Sequence, residues 1–390
     1  MRNVKCESRK ITIMKLKKYI YGVALGAFSL ASVSCYNADK DFPDYDGGTT
    51  AYFAYQNPVR TLVLGNDIYD NTLDNAHKCR IWATMGGAYG GRNATVTFVV
   101  DESLCDNLYF LDDGGYPQGA VTPLKKEYYT LSSNEIPYNG DARGYVEVQF
   151  TDEFFKDPKA IENYYVIPLR MTDVSGIDKI LTGTPNVSSP VRPNAQDWTV
   201  LPMDYVLYCV KYMNPWQGKY IRRGVDNVTE GGVTTKVVRK DFTLYNSDVE
   251  RYSKQDPSNP VNQYDEVCGI TTKNMTEAIF PVSFKTSGAS ISCNLILTFS
   301  GNKCTISTDD ENVTATGSGE FIEKGTERNE YKDYQWGSLN GELVQRDILR
   351  LAYDVTFTDK DITVSTADTL VVQTRESNKR EFFDYKYVKE

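Results

Sequence analysis

The chain reads as an all-β protein: a β-sandwich followed by a run of antiparallel strands. Three observations predict this. Short segments of alternating or β-rich apolar residues recur between turn signals along most of the length. Tyr is unusually common, at 28 of 390 residues, and with Thr and Val it favours strands. No long amphipathic helical pattern interrupts the strands.

The first block opens with strands at Ala51 to Tyr55 and Val59 to Leu64. Lys78 to Met85 alternates, with Cys79, Ile81 and Ala83 on one face and Arg80, Trp82 and Thr84 on the other. Gly86-Gly87 and Gly90-Gly91 break the chain before the next strand, Ala94 to Val100. Asp101 caps one predicted helical turn, and Thr151 to Asp157 is a second, limited by Pro158. Between them, Gly144 to Phe150 sets Tyr145, Glu147 and Gln149 opposite Val146, Val148 and Phe150. Tyr164 to Met171 and Tyr205 to Val210 complete the block, after a polar connection from Thr182 to Pro202. Strands at this spacing predict a sandwich.

Asn214-Pro215 marks the boundary to the second block. Its candidate strands are Gly218 to Arg222, Lys236 to Tyr245, Glu266 to Ile270, Ala278 to Lys285, Ser290 to Phe299, Lys303 to Ser307, Gly319 to Glu323, Ile348 to Phe357 and Ile362 to Val372. Such a run suits an up-and-down barrel or a second sandwich, and closure would remove its exposed edges.

The N-terminus carries a different signal. Met14-Lys15-Leu16-Lys17-Lys18 is basic, Tyr19 to Leu30 is mostly apolar, and small residues lead to Cys35. That order is a secretory leader. Its apolar run is shorter than the roughly 20 residues a membrane-spanning helix needs. Cys35 resembles the lipid-modified first residue of a bacterial lipoprotein. Tyr36 to Asp41 then resembles the acidic export signal of outward-facing Bacteroidetes lipoproteins. We therefore divide the chain into a leader (1–34), an anchor and tether (35–48), a sandwich (49–212) and a barrel (213–390). Within the tether, Asp41 to Gly48 approaches an acidic glycosidase motif but has Gly48 in place of the essential final Glu.

The formal charge is −9 for the whole chain, and about −15 once the basic leader is set aside. An acidic surface repels phosphate backbones and argues against a nucleic-acid partner. Six cysteines follow Cys35: Cys79, Cys105, Cys209, Cys268, Cys293 and Cys304. Their spacing fits no zinc pattern. Buried free thiols are expected for most, with Cys293 and Cys304, on neighbouring predicted strands, as the one pair to test.

Four segments carry a resemblance: Tyr52-Phe53-Ala54-Tyr55-Gln56, Arg60 to Gly65, Ile81 to Gly87 and Val96 to Asp101. They resemble an N-terminal domain of unknown function that is widespread in Bacteroidetes surface lipoproteins. The same domain precedes the catalytic barrel of some secreted endo-β-N-acetylglucosaminidases. Asn214-Pro215-Trp216-Gln217-Gly218-Lys219-Tyr220 and Thr369 to Arg375 are similar to a lipocalin-like C-terminal domain that often accompanies it. The resemblance implies a cell-surface lipoprotein of a polysaccharide-utilisation system, with a glycan as partner. It supplies no catalytic residues, no metal ligands and no cofactor, and the glycosidase barrel of the longer relatives is absent. The expectation is a non-catalytic glycan-binding protein on the outer membrane. Its alternative is a scaffolding module that docks with surface protein partners and has no sugar site.

Sugar binding needs flat rings for the apolar face of a pyranose and a few polar groups for its hydroxyls. The best candidate loop, Gly325 to Gly341, holds Tyr331, Asp333, Tyr334, Gln335, Trp336 and Asn340. A second patch would use Tyr89, Arg92, Tyr116 and Gln118, and Trp198 is a third option. Trp82 and Trp216 read as packing residues. His77, the single histidine, is expected to be structural. The carboxylates Asp112-Asp113 and Asp309-Asp310-Glu311 read as solvated turns rather than the facing pair hydrolysis requires.

Overall fold

Fifteen strands are described before Asn214. They are β1 (Thr50–Tyr52), β2 (Pro58–Val63), β3 (Lys78–Gly86), β4 (Thr95–Val100), β5 (Leu108–Leu111), β6 (Pro117–Ala120), β7 (Thr122–Pro123), β8 (Tyr129–Leu131), β9 (Glu135–Pro137), β10 (Arg143–Phe150), β11 (Tyr165–Ser175), β12 (Lys179–Ile180), β13 (Thr184–Pro185), β14 (Trp198–Val200) and β15 (Tyr205–Met213). The structure is a computed structural model and describes residues 43–239, 266–326, 345–377 and 380–389. Residues 47–390 form one compact unit.

Two sheets make the sandwich. One runs β12-β1-β3-β10-β8, and the other carries β2-β15-β11-β4-β9. Period-two alternation puts Cys79, Ile81 and Ala83 of β3 and Val146, Val148 and Phe150 of β10 into the shared core, as the sequence predicts. Val96, Phe98, Ile167 and Leu169 meet them from the second sheet. Strands β11 and β15 read instead as nearly continuous apolar runs, because both of their faces are covered. The second cover comes from the β5–β6 hairpin, whose Leu108 and Phe110 pack on Val166, Leu207 and Cys209.

The second block is β16 (Gly218–Glu230), β17 (Val233–Arg239), β18 (Glu266–Thr272), β19 (Glu277–Phe284), β20 (Ile291–Ser300), β21 (Lys303–Ser307), β22 (Val313–Ile322), β23 (Ile348–Phe357) and β24 (Ile362–Thr374). It is a closed antiparallel barrel of eight strands, sealed where β24 pairs with β16 from Lys219 to Glu230, with β17 hairpinned onto the far half of β16. Sequence alone ends the first barrel strand at Arg222; it continues to Glu230, paired with β24 throughout, and its polar residues Arg222 and Asp226 are fully buried, which hides the strand pattern from the sequence.

The barrel interior is filled by side chains. Phe280, Phe284, Leu295, Leu297, Phe299, Leu351, Val355 and Val364 pack there, and Trp216 lies flat on Phe299, with centroids 3.7 Å apart and planes 5° apart. Trp216 is thus the packing residue expected. Gly319 of β22 keeps the wall close: a Cβ there would lie 2.4 Å from Leu351 Cδ2.

Cys293 and Cys304 do not pair. Cys304 stands opposite Phe299 in the β20–β21 ladder, six residues along from Cys293, which is about 20 Å of extended strand. All six described cysteines are free thiols.

The junction between the blocks is tightly bonded. The Asn214 amide donates to the carbonyls of Asn274 and Glu277, and its oxygen accepts from the backbone of Trp216 and Gln217. Arg375, at the end of β24, donates to the carbonyls of Leu64, Asn66, Asn214 and Gln217. After it the chain returns to the sandwich. Strand β25 (Glu381–Phe382) pairs with β2, and β26 (Tyr385–Tyr387) pairs with β5. Residues 380–389, assigned by sequence to the second domain, therefore pair with strands of the first.

Candidate functional site: an aromatic and arginine cleft

The sequence-predicted loop residues Tyr331, Asp333, Tyr334, Gln335, Trp336 and Asn340 lie outside the described residues, as does Cys35. The second predicted patch is split between two turns. Tyr89 and Arg92 sit in the loop after β3, where Arg92 is tied by backbone bonds to Asp141 and Gly140. Tyr116 and Gln118 sit on the β5–β6 hairpin, where Asp112 accepts from the Tyr116 backbone and the Gln118 amide. Trp198 spends its indole N–H on the Val191 carbonyl and fastens its own loop. His77 packs at 4.1 Å on Phe155, as a structural residue would. Asp309 pairs with Lys273, and Asp310 accepts from the Asn294 backbone. Among the described residues no cluster of three His, Cys, Asp or Glu side chains could hold a metal ion.

A different set of residues comes together on the outer face of the β3–β10 pair. The ladder sets Trp82 opposite Tyr145, Arg80 opposite Glu147 and Thr84 opposite Arg143. The Trp82 and Tyr145 rings meet at 4.7 Å, tilted by 53°. A guanidinium closes each end of this pair: Arg143 lies 4.7 Å from the Trp82 ring and Arg80 lies 4.2 Å from the Tyr145 ring. Each arginine is the diagonal neighbour of the ring it covers, which is within reach of long side chains on a pleated sheet.

The opposite wall is built by the returning C-terminus. Pairing of β25 with β2 brings Phe382 to 5.1 Å from the Tyr55 ring. Arg380 donates to the Tyr55 hydroxyl and lies 5.5 Å from its ring centroid. The two walls enclose a cleft of about 420 Å³. At its floor, β1 pairs only with Thr84 to Gly86 of β3, so the β3 edge around Arg80 to Ala83 faces the cleft, and Tyr208 donates to the Arg80 carbonyl there.

Trp82 corrects the sequence-based expectation that it is a packing residue. It is 41% exposed, Tyr55 47% and Phe382 44%. Large aromatic residues left in water and gathered around one concavity mark a binding surface. The missed signal was in the sequence: on the non-core face β3 places Trp82 beside Arg80, and β10 places Tyr145 between Arg143 and Glu147. What the alternation could not say is that the two strands are neighbours, or that this face stays uncovered.

Two family models match the chain. One, described as an N-terminal domain, matches residues 45–178, and the other, described as a domain of unknown function, DUF5627, matches residues 215–376. A crystal structure from Bacteroides ovatus, described as a structural-genomics protein of unknown function, is 40% identical, with a TM-score of 0.74 over 88% of this chain and 100% of its own. This chain belongs to that protein's family. The family is one of unknown function, so membership carries the architecture and not a chemistry. No curated protein matches. The cleft uses both ends of the family's architecture, since its walls are β3 and β10 of the N-terminal domain and the segment that follows the DUF5627 match.

Proposed function

We propose that this protein is a non-catalytic, lipid-anchored protein of the outer membrane that binds glycan at the cell surface, as part of a polysaccharide-utilisation system. The observation that carries the reading is the cleft: three exposed rings, Tyr55, Trp82 and Phe382, line about 420 Å³ together with Arg80, Arg143 and Arg380, and Tyr145 backs Trp82 from the side. Rings stack on the apolar faces of sugars, and polar groups between them fix the hydroxyls, a combination small-ligand sites favour. The leader ending at Cys35 supports the surface location. The aromatic loop 331–340 remains a second candidate contact.

The test is a glycan array with the purified full-length protein, followed by calorimetry on any hit. The expected result is a specific hit that Trp82→Ala weakens at least about tenfold, the worth of one well-placed ring. A hit unaffected by Trp82→Ala and abolished by Trp336→Ala would move the site to the 331–340 loop. The same preparation should release no new reducing ends from a bound glycan.

The alternative, a scaffolding module that binds no sugar, is favoured by one observation. Apart from the Arg80 carbonyl, which Tyr208 occupies, the β3 edge from Arg80 to Ala83 has no strand partner on the β1 side and suits an extended peptide. A stable protein complex purified without glycan, and lost on substitution of Trp82, would establish that alternative.

A further inference from the structure

Resting on the glycan reading, we infer that the ligand of this cleft is acidic: a saccharide bearing carboxylate or sulfate groups. The inference comes from how the cleft's charges are paired. Three guanidiniums line it, those of Arg80, Arg143 and Arg380. Glu381 in its lining and Glu147 beside Arg80 are already engaged by ammonium groups: Glu147 with Lys78 at 2.7 Å, and Glu381 with Lys211 at 2.8 Å. Arg80 Nε stands 3.8 Å from Glu147, beyond hydrogen-bond reach, and that buried nitrogen has no acceptor. Among the described residues neither Arg143 nor Arg380 has a carboxylate partner; Arg143 lies over the Trp82 ring at 4.7 Å, and Arg380 gives one N–H to the Tyr55 hydroxyl and keeps the others.

A protein of net charge −9 thus gathers uncompensated positive charge in one concavity. Stacking leaves the in-plane N–H groups of a guanidinium pointing away from the ring, where their fork matches a carboxylate or sulfate in two parallel hydrogen bonds. The rings behind also lower the local dielectric, which strengthens each such bond. A neutral saccharide would use the rings and leave the forks to water. An acidic one uses both.

The experiment compares matched probes on the full-length protein by calorimetry: an oligogalacturonate, its fully methyl-esterified form, and a sulfated oligosaccharide with its desulfated parent. The expected result is that removing the charge weakens binding about tenfold or more, the scale of one charge-assisted hydrogen bond. The exposed changes Arg143→Gln and Arg380→Gln should each weaken the acidic probe by a similar factor and leave the neutral one within about twofold. Preference for the oligouronate over the sulfated probe, or the reverse, identifies which anion the forks select. Equal binding of charged and neutral forms, still lost in Trp82→Ala, would overturn the inference while keeping the glycan reading. Acidic binding indifferent to both arginines and to Trp82 would overturn it by placing the site elsewhere. A blank across the whole array would remove the glycan reading and this inference together.

Discussion

Arg222 Nε donates to Asp368 Oδ2 at 2.8 Å in the middle of the barrel, with neither side chain exposed. The pair does not stand alone. Tyr353 donates to the same carboxylate and accepts from Arg222, Glu266 approaches the guanidinium at 3.2 Å, and Asp226, bonded by Thr366, lies 3.7 Å away. Phe280 and Phe284 lie 5.7 and 5.5 Å from the guanidinium carbon. Removing the cation would leave two fully buried carboxylates, Asp226 and Asp368, without it in a packed interior. Arg222→Met should therefore cost about 3–5 kcal/mol despite its similar volume, read as a lowered denaturation midpoint at unchanged slope.

Arg375 fastens the barrel to the sandwich through four backbone carbonyls, among them those of Leu64 and Asn214. Arg375→Ala leaves these acceptors short of a donor and should cost about 2–4 kcal/mol. Hydrogen exchange should rise around residues 64–66 and 214–217 before it rises in the barrel strands.

The two tryptophans of opposite environment should respond oppositely. Trp216, stacked on Phe299 and 8% exposed, should cost about 3–5 kcal/mol on replacement by Ala. Trp82 on the open face should cost under about 1.5 kcal/mol, limited to its pairings with Tyr145 and Arg143. Thermal melts of the two variants decide this directly.

Asp157 accepts from the Lys159 backbone and from the hydroxyls of Tyr128 and Tyr165, with Lys125 at 3.3 Å. Burial by itself would raise its pKa; the Lys159 N–H, the two hydroxyls and Lys125 outweigh that and hold it at about 2, against an ordinary 3.8. A folded value below the unfolded one means the carboxylate stabilises the fold fully above about pH 4 and loses that contribution as pH falls through about 2. Asp157→Asn should be less stable at neutral pH, and its stability should fall less steeply between pH 4 and 2 in denaturant titrations.

Burial pushes the Cys79, Cys105, Cys209, Cys293 and Cys304 thiols up to about 12. As thiols rather than thiolates they should resist alkylation in the native protein and label only on unfolding. A reducing agent should leave the melting temperature unchanged.

How much was legible differs from element to element. The alternation in Lys78–Gly86 and Arg143–Phe150 identified both strands and their core faces, because burial on one side of a pleated strand imposes a period of two. The early part of β22, Thr-Ala-Thr-Gly-Ser-Gly, escaped notice: its inward positions are small so that Leu351 and Tyr353 of β23 can pass, and small residues carry little strand signal. β25 and β26 were invisible for another reason. Two or three residues become strands only because β2 and β5, more than 270 positions earlier, offer them an edge.

From the sequence alone came the all-β class, a sandwich followed by a second antiparallel block, the approximate strands, the acidic charge and the leader expected to end at Cys35. Each is a local or compositional property, readable within a few residues or by counting. The tertiary structure decided what lies next to what: closure of the barrel by β24 on β16, the ion cluster around Arg222, and the meeting of Tyr55, Trp82 and Phe382 in one cleft. Those depend on register and on pairings between distant segments. A side chain's neighbours across a sheet are set by hydrogen-bond ladders that no local pattern specifies.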